Sequence, residues 1–367
     1  MTADAVTTPS SQQPLKASVD ALDRFCRDVL AAAGADAATI DAVTRAMMHG
    51  SRLGVDSHGV RLLAHYTAVL MEGRVNPNPN ISLTDTFGAA ATLDADHGHG
   101  ALAAYTAMSH AVQAAGRFGL CAVSIRNSSH FGPAGAYALA AAQASCIGLA
   151  TCNADSFVRL HDGAIPFHGT NPIACAVPTG GHRPWLLDMA TSAIPYNRVT
   201  LNRSLGRRLP PNVASDARGD DTEDPEQAVM LAPLGAAFGY KGAGIAGLAE
   251  ILSAALTGMK LSFEIAPMAG PDMSTPRELG MFVMAMRPEA FIGLDSFNDS
   301  MTRYLDSLRR SPARPGAKVM APGDREWAEA ERRETHGVPI DPATGQAFEA
   351  LSMRFGIGLP FTQTSDP

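Results

Sequence analysis

Between about residues 88 and 177 the chain alternates short apolar runs with alanine-rich windows of helical length, and this alternation limits the available folds most. Residues 120–125, 147–152 and 173–177 are apolar runs too short for buried helices, so they read as buried strands. Residues 101–116 and 134–144 fall between them as helices, the first ended by glycine. The longest weakly polar stretch, 134–150, is interrupted by Gln143 and Ser145 and reads as a helix running into a strand. Strands interleaved with helices of roughly 10–15 residues specify an α/β domain.

The flanks differ. Residues 1–15, rich in Thr, Ser and Gln, read as a frayed start. Val19, Leu22, Phe25, Cys26, Val29 and Leu30 then recur at helical spacing, with Gly34 closing that helix. Further helices are predicted over 37–49 and 58–72, the latter closed by Gly73 and Asn76-Pro77-Asn78-Pro79. Residues 197–226, charged and containing Pro210-Pro211, read as an exposed loop system. A long helix is predicted over 243–256, ended by Gly258, and one more strand over 281–286. Helices and a Pro/Gly-rich tail follow Phe297, and no internal repeat is visible.

Composition excludes several classes. A chain of 367 residues exceeds one ordinary core and suggests two or three domains. With 46% hydrophobic and 18% charged residues it is not intrinsically disordered. A net charge of −7 argues against nucleic-acid partners. No apolar run approaches the roughly 18–20 residues of a membrane span, and Met1-Thr2-Ala3-Asp4 does not open a signal peptide. The five cysteines lack metal-ligand spacing and sit among aliphatic residues, which suits small buried hydrophobes in a reducing cytoplasm.

Several motifs carry possible chemistry, each with a plainer alternative. Gly242-x-Gly244-x-x-Gly247 is formally a dinucleotide fingerprint, but it lies late in the chain and only a weak strand at 261–264 follows it. It reads better as a helix N-terminus whose free amides, with Lys241, favour an anion. Asp56-Ser57-His58-Gly59 opens the third helix, with Asp56 or Ser57 as N-cap. The alternative is a capped helix with an incidental histidine. Yet Arg61, His65 and Tyr66 follow, and His58, Leu62 and Tyr66 share one helical face with Arg61 on its flank. Arg126 to Gly132 follows a buried strand, where open α/β folds place chemistry. There His130 is either a proton carrier near neutral pH or a satisfied loop histidine. Thr151-Cys152-Asn153, Gly169-Thr170-Asn171-Pro172 and Asp188-Met189-Ala190-Thr191-Ser192 sit at strand ends and are also common turn patterns. His97-Gly98-His99-Gly100 suits a turn better than a metal pair, and no metal site, P-loop or nucleophile elbow is predicted.

In order, Ser57-His58-Gly59, Asn127 through Gly132, Gly169 through Ile173, Asp188 through Ser192, Gly239-Tyr240-Lys241-Gly242 and Pro322-Gly323-Asp324 resemble the type-2 malate/L-lactate/ureidoglycolate/sulfolactate dehydrogenase family. The resemblance spans about residues 17–340. It implies NAD(P)-dependent hydride transfer on 2-oxo/2-hydroxy acids or cyclic imino acids. The implied α/β fold has a helical N-terminal region, then a mixed-sheet non-Rossmann NAD(P)-binding domain, with the C-terminal segment returning to the first domain. This divides the chain into 1–124 with 301–367, for substrate and dimerisation, and 125–300 for NAD or NADP. A homodimer with a cleft between domains is implied too.

By position, His130 matches the family's catalytic acid/base and also meets the cofactor. Ser57 and His58 line the substrate, beside Arg61, Leu62, Tyr66, Asn153 and Thr170. Asp188, Met189, Ala190, Arg198, Lys241, Gly242, Pro322, Gly323 and Asp324 match cofactor contacts. Three departures fall on this pattern. The family arginine that holds the substrate carboxylate is Leu62 here, with Arg61 one residue early. Ala-Arg-Gly-Lys becomes Pro195-Tyr196-Asn197-Arg198, and a Gly-Trp pair becomes Asn212-Val213. The expected substrate is therefore a 2-oxo/2-hydroxy acid other than simple malate or lactate. The alternatives are a cyclic 2-imino carboxylate and a repurposed cofactor binder in specialised metabolism.

Overall fold

Leu15 begins a strand in the computed structural model, which describes residues 15–361; the rest of the expected frayed start lies outside the described residues. β1 (Leu15–Ala17) leads into α1 (Val19–Ala32), whose Ser18 cap accepts a hydrogen bond from the Ala21 amide at 3.2 Å. α1 buries its predicted stripe of Leu22, Phe25, Cys26, Val29 and Leu30 against α2 (Ala37–Arg52). The next helix departs from expectation. Single 3₁₀ turns at Asp56–His58 and Val60–Leu62 precede a shorter α3 (Leu63–Met71). Gly59, extended at φ −93° and ψ −151°, breaks the helix because it presses on α2: a Cβ there would lie 2.3 Å from Ser51 Oγ. Neither Asp56 nor Ser57 acts as N-cap. Ser51 Oγ instead accepts the Val60 amide at 2.9 Å, and Asp56 pairs with Arg333.

The alternating region folds largely as its periodicity requires. In order come β2 (Ser82–Phe87), β3 (Ala90–Asp94), α4 (Gly100–Phe118), β4 (Leu120–Ser128), α5 (Gly135–Gln143) and β5 (Ile147–Cys152). β6 (Val158–Arg159) and β7 (Pro166–His168) form an excursion before β8 (Ile173–Val177) and β9 (Trp185–Met189). The supposed loop system contains α6 (Tyr196–Ser204) and β10 (Ala214–Ser215), because Val199, Leu209 and Ala214 bury themselves with Val158, Ala228 and Leu231. That small core sits by a four-stranded sheet, β10 with β11 (Met230–Leu231), then β6 and β7. α7 (Gly239–Glu250) starts four residues earlier than expected and continues as a π-helical turn over Ile251–Ala255. Residues 262–264 form a 3₁₀ turn, not a strand. Last come β12 (Leu279–Met286), α8 (Leu294–Arg309), α9 (Asp324–His336), β13 (Val338–Ile340) and α10 (Pro342–Phe355).

The main sheet has the order β2-β3-β4-β12-β5-β8-β9, and only its β3–β4 neighbours run parallel. This mixed order is not a Rossmann sheet, which is mostly parallel. β13 pairs antiparallel with β1, and α10 packs on α1 and α3, so the C-terminal segment returns to the first helices. β4 runs across position 124, and the sheet draws strands from both sides of it. One continuous sheet therefore crosses the boundary expected there.

β12 is buried on both faces. Met281 reaches toward Gly100 of α4, whereas Gly280 faces the π turn, where a Cβ would lie 1.7 Å from the Ser253 carbonyl oxygen. Gly280→Ala is therefore expected to destabilise the fold by at least about 1–3 kcal/mol. At Gly244 an added Cβ meets nothing within 4 Å, so Gly244→Ala should be neutral or stabilising by up to about 1 kcal/mol. Denaturant unfolding of the two variants checks the contrast, and equal effects would contradict it.

Candidate active site

His130 sits just past β4, where a buried strand ends in polar residues. Its Nδ1 lies 2.8 Å from the Tyr66 hydroxyl, and its ring stacks on His58 with centroids 5.8 Å apart. His58 Nδ1 lies 2.9 Å from Ser57 Oγ, and Tyr66 packs edge-on against His99 at 4.3 Å. Ser57, His58, Tyr66 and His130 thus converge although no single helix carries the first three. The turn holding His130 is fixed from both sides. Ser129 Oγ accepts the Gly100 amide at 3.1 Å and donates to the Gly98 carbonyl at 3.2 Å, while Tyr137 donates to the Phe131 carbonyl. Gly132, at φ +77°, turns the chain beside the Tyr66 hydroxyl.

Burial sets the protonation of this cluster. It pushes His65 down to about 4 and His99 to about 3, with Arg277 and Arg74 adding to the effect on His65. His58 is lowered by burial, and His130 well below the usual range, by burial first and then by His58, Arg277, His65 and His99. Each imidazole is therefore neutral near pH 7. His99 uses its neutral Nδ1 to accept the Ala101 amide at 3.1 Å and cap α4, the structural role that its turn-like motif suggested. Burial raises the Tyr66 phenol, so it stays protonated and serves His130 Nδ1 either as donor or as acceptor.

The remaining substrate-side residues scatter. Arg61 is exposed and lies 4.0 Å from Asp341. Leu62 packs against the core. Asn153 is wholly buried and donates to the Lys260 carbonyl at 2.8 Å and to Glu250 at 3.4 Å. Thr170 offers its carbonyl to the Thr191 amide and hydroxyl, both at 2.9 Å. Sequence reasoning missed Glu250, whose buried carboxylate also accepts from Asn171 at 2.7 Å and from the Ser262 hydroxyl and amide at 2.6 Å. Its signal was an acid in phase with the buried Gly242, Ala246 and Ala249 of α7. Arg74 and Arg277, each 3% exposed, were also missed; neither lies in a recognisable motif.

The cofactor-side residues assemble in two groups. Asp188 ends β9, and burial pushes its carboxyl up to about 6 although it accepts the Gly135 amide at 2.9 Å. Gly135 has no room for a Cβ, which would come 2.7 Å from that carboxylate. The Pro322 carbonyl accepts the Leu186 amide at 3.2 Å, so Pro322-Gly323 lies against β9 two residues before Asp188. At the start of α7, Gly242 presses on the Leu234 backbone, whose amide bonds to the Thr191 carbonyl at 2.9 Å. Lys241, over the Phe238 ring at 5.4 Å, and Arg198 of α6 are exposed and make no ion pair among the described residues. A strand-end carboxyl, tight glycine turns and free cations near a helix N-terminus fit a phosphate-bearing dinucleotide.

The depressed histidines make stability depend on pH. His49, His65 and His99 drop from 6.5 to about 4, 4 and 3, so the unfolded chain binds more protons than the native one below pH 6.5. Stability then rises with pH across roughly 4–6.5. Asp188, raised from 3.8 to about 6, opposes this as a single group. The melting temperature is expected to fall between pH 7 and pH 5, as followed by differential scanning fluorimetry. A flat profile, or one rising toward acid, would contradict the buried neutral histidines.

Known proteins share this fold. The malate/L-lactate dehydrogenase family matches residues 17–349. A malate dehydrogenase of Pyrococcus abyssi is 32% identical over 83% of this chain and 85% of its own. The crystal structure of a malate dehydrogenase from Entamoeba histolytica superposes with a TM-score of 0.89 at 28% identity, covering 95% of this chain and all of that one. A delta1-piperideine-2-carboxylate reductase from Pseudomonas syringae gives 0.80 at 26% identity, covering 92% and 99%. Its relatives are dehydrogenases, and the chain belongs to the malate/L-lactate dehydrogenase family of NAD(P)-dependent oxidoreductases.

Proposed function

We propose that the protein moves hydride between NAD or NADP and a 2-oxo or 2-hydroxy acid, with His130 carrying the proton. The observation that carries this is the His130 Nδ1–Tyr66 hydroxyl contact at 2.8 Å with His58 stacked alongside. The dinucleotide, when bound, supplies or accepts the hydride. The Asp188–Ala190 and Pro322–Asp324 segments, with Arg198, Lys241 and Gly242, would hold it. As a ketone is reduced, negative charge grows on its oxygen, and His130, after taking a proton from solvent to become imidazolium, delivers it from Nε2 and returns to its neutral form. In the reverse direction neutral Nε2 takes that proton while Nδ1–H donates to Tyr66. Tyr66 accepts from Nδ1–H in both states and so holds the ring in place. Ser57 orients His58, which walls the site.

Leu62 shapes the substrate choice. Leu62, half-buried on the turn between the His58 turn and the helix of Tyr66, gives a second carboxylate no charged partner. Reduction of a cyclic 2-imino carboxylate is a second reading, supported by Leu62 and by the likeness to the reductase above. Intact His130 argues against a binder without turnover. A homodimer is supported by the apolar side chains exposed on and around α7, Phe238, Tyr240, Ile245, Leu248, Ile251 and Phe263. The five free thiols suit a reducing, cytoplasmic setting.

NADH or NADPH at 100 times its dissociation constant is expected to stabilise the fold by about 2.7 kcal/mol. His130→Asn should lower turnover at least about 100-fold with that shift in melting temperature retained. No shift with either dinucleotide would sink the reading, whereas retained turnover would move the proton carrier elsewhere, His58 first. Wild type should prefer a 2-oxo acid with an apolar tail over oxaloacetate. Leu62→Arg should raise kcat/KM for oxaloacetate by roughly tenfold or more, the value of one charge-assisted pair. Efficient oxaloacetate reduction by wild type would contradict this role of Leu62.

A further inference from the structure

Resting on the oxidoreductase reading, one question remains open: what holds the substrate's acid group when position 62 is leucine and Arg61 faces Asp341. β12 brings a different cation. It pairs with β4 through Leu279 opposite Ser128, and with β5 through Met281 opposite Cys152. Continuing the first pairing by two residues brings Arg277 level with His130. On its other side Arg277 meets Asp155, just past Asn153. Arg277 therefore stands between the strand ends that carry His130 and Asn153.

The charges around it do not balance. Arg277 donates from Nε to the Ala266 carbonyl at 2.8 Å and from Nη2 to Asp155, while Nη1 has no partner among the described residues. The other oxygen of Asp155 is engaged by the Met268 amide at 3.2 Å. Arg74, just past α3, gives Nη1 to the Met268 carbonyl at 3.0 Å. Its Nε is buried and unpartnered, and it makes no ion pair among the described residues. Asp155 thus pairs with Arg277, while Arg74 has no carboxylate among the described residues, leaving a positive charge enclosed beside the histidines. Its influence is felt there, since Arg277 depresses His130 and both arginines depress His65. Buried cations with Arg277 Nη1 and Arg74 Nε unengaged suit an anionic ligand.

We propose that Arg277, with Arg74 behind it, anchors the carboxylate of a 2-oxo or 2-imino monocarboxylic acid whose tail lies against Leu62. The anchor has moved from the helix of the first domain to the end of the central strand. It approaches His130 from the sheet side. The acid group would then lie on the Arg277 side of the site and the reducible carbon on the His130 side.

The test uses the full chain with saturating reduced dinucleotide and oxamate as a non-reacting 2-oxo acid mimic, followed by calorimetry. Arg277→Met should weaken oxamate binding at least about tenfold, and Arg277→Lys should recover part of it. For a turned-over 2-oxo acid the loss should fall in KM more than in kcat, with the dinucleotide dissociation constant unchanged. Oxamide, the uncharged analogue, should not distinguish wild type from Arg277→Met. If orphaning Asp155 unfolds that variant, Arg277→Met with Asp155→Asn and Arg74→Met are measured instead, and each should still weaken oxamate binding. Unchanged oxamate affinity, or equal losses for oxamate and oxamide, would overturn the anchor. Wild type that binds dinucleotide but not oxamate would overturn it as well. Wild type that binds oxamate through Arg277 but no dinucleotide would leave the anchor standing and remove the oxidoreductase reading.

Discussion

The insertion of β12 between β4 and β5 is the constraint on which the rest of the structure depends. It joins residues remote in sequence and buries a strand on both faces, with α4 packed on one and the π turn after α7 on the other. Such a strand tolerates no misfit, which is why a glycine stands where the helix backbone comes closest. From its placement follow the position of the His130 turn at the end of β4, the polar cluster at the end of β5, and the arrival of Arg277 between them. The chain reaches this arrangement only after long loops close, so the site is a product of non-local contacts.

Around that frame, polar groups are buried in two different ways. The histidines are kept neutral, and each finds a modest partner: a hydroxyl for His58 and His130, a backbone amide for His99. Glu250 has no basic side chain bonded to it and is held by four hydrogen-bond donors from Asn153, Asn171 and Ser262. Satisfied in this way, a buried carboxylate ties α7 to the strand ends instead of destabilising them. Asn153 and Asn171 thus tie the strand ends to Glu250 through their amide nitrogens, while the buried Asn153 Oδ1 has no partner among the described residues. Arg74 Nε, in contrast, is buried without a partner among the described residues.

The C-terminal segment has a comparable role on the other side. Arg333 of α9 is buried and donates to Asp56 and to the Ser51 carbonyl, fastening the turn that carries Ser57 and His58. Residues that flank the site in sequence are thus held by a helix from the far end of the chain. This explains why Asp56, a natural N-cap by composition, caps nothing: a guanidinium competes successfully for its carboxylate.

Sequence by itself determined the element types through the central region, because apolar runs and alanine-rich windows have periods that only strands and helices satisfy. It also determined that His130 ends a buried strand and that the glycines at 242, 244 and 247 do not make a Rossmann turn. Local pattern misread the 58–72 helix, since the break at Gly59 comes from pressure by Ser51 on a neighbouring helix. It misread 197–226 as well, where charge hid three apolar anchors that only a second small core reveals. Tertiary structure alone decided that Tyr66 reaches His130, that Arg61 lies near Asp341, and that Arg277 and Arg74 enclose an unmatched charge. Those facts depend on strand order and register between segments far apart in the chain, and no local periodicity encodes them.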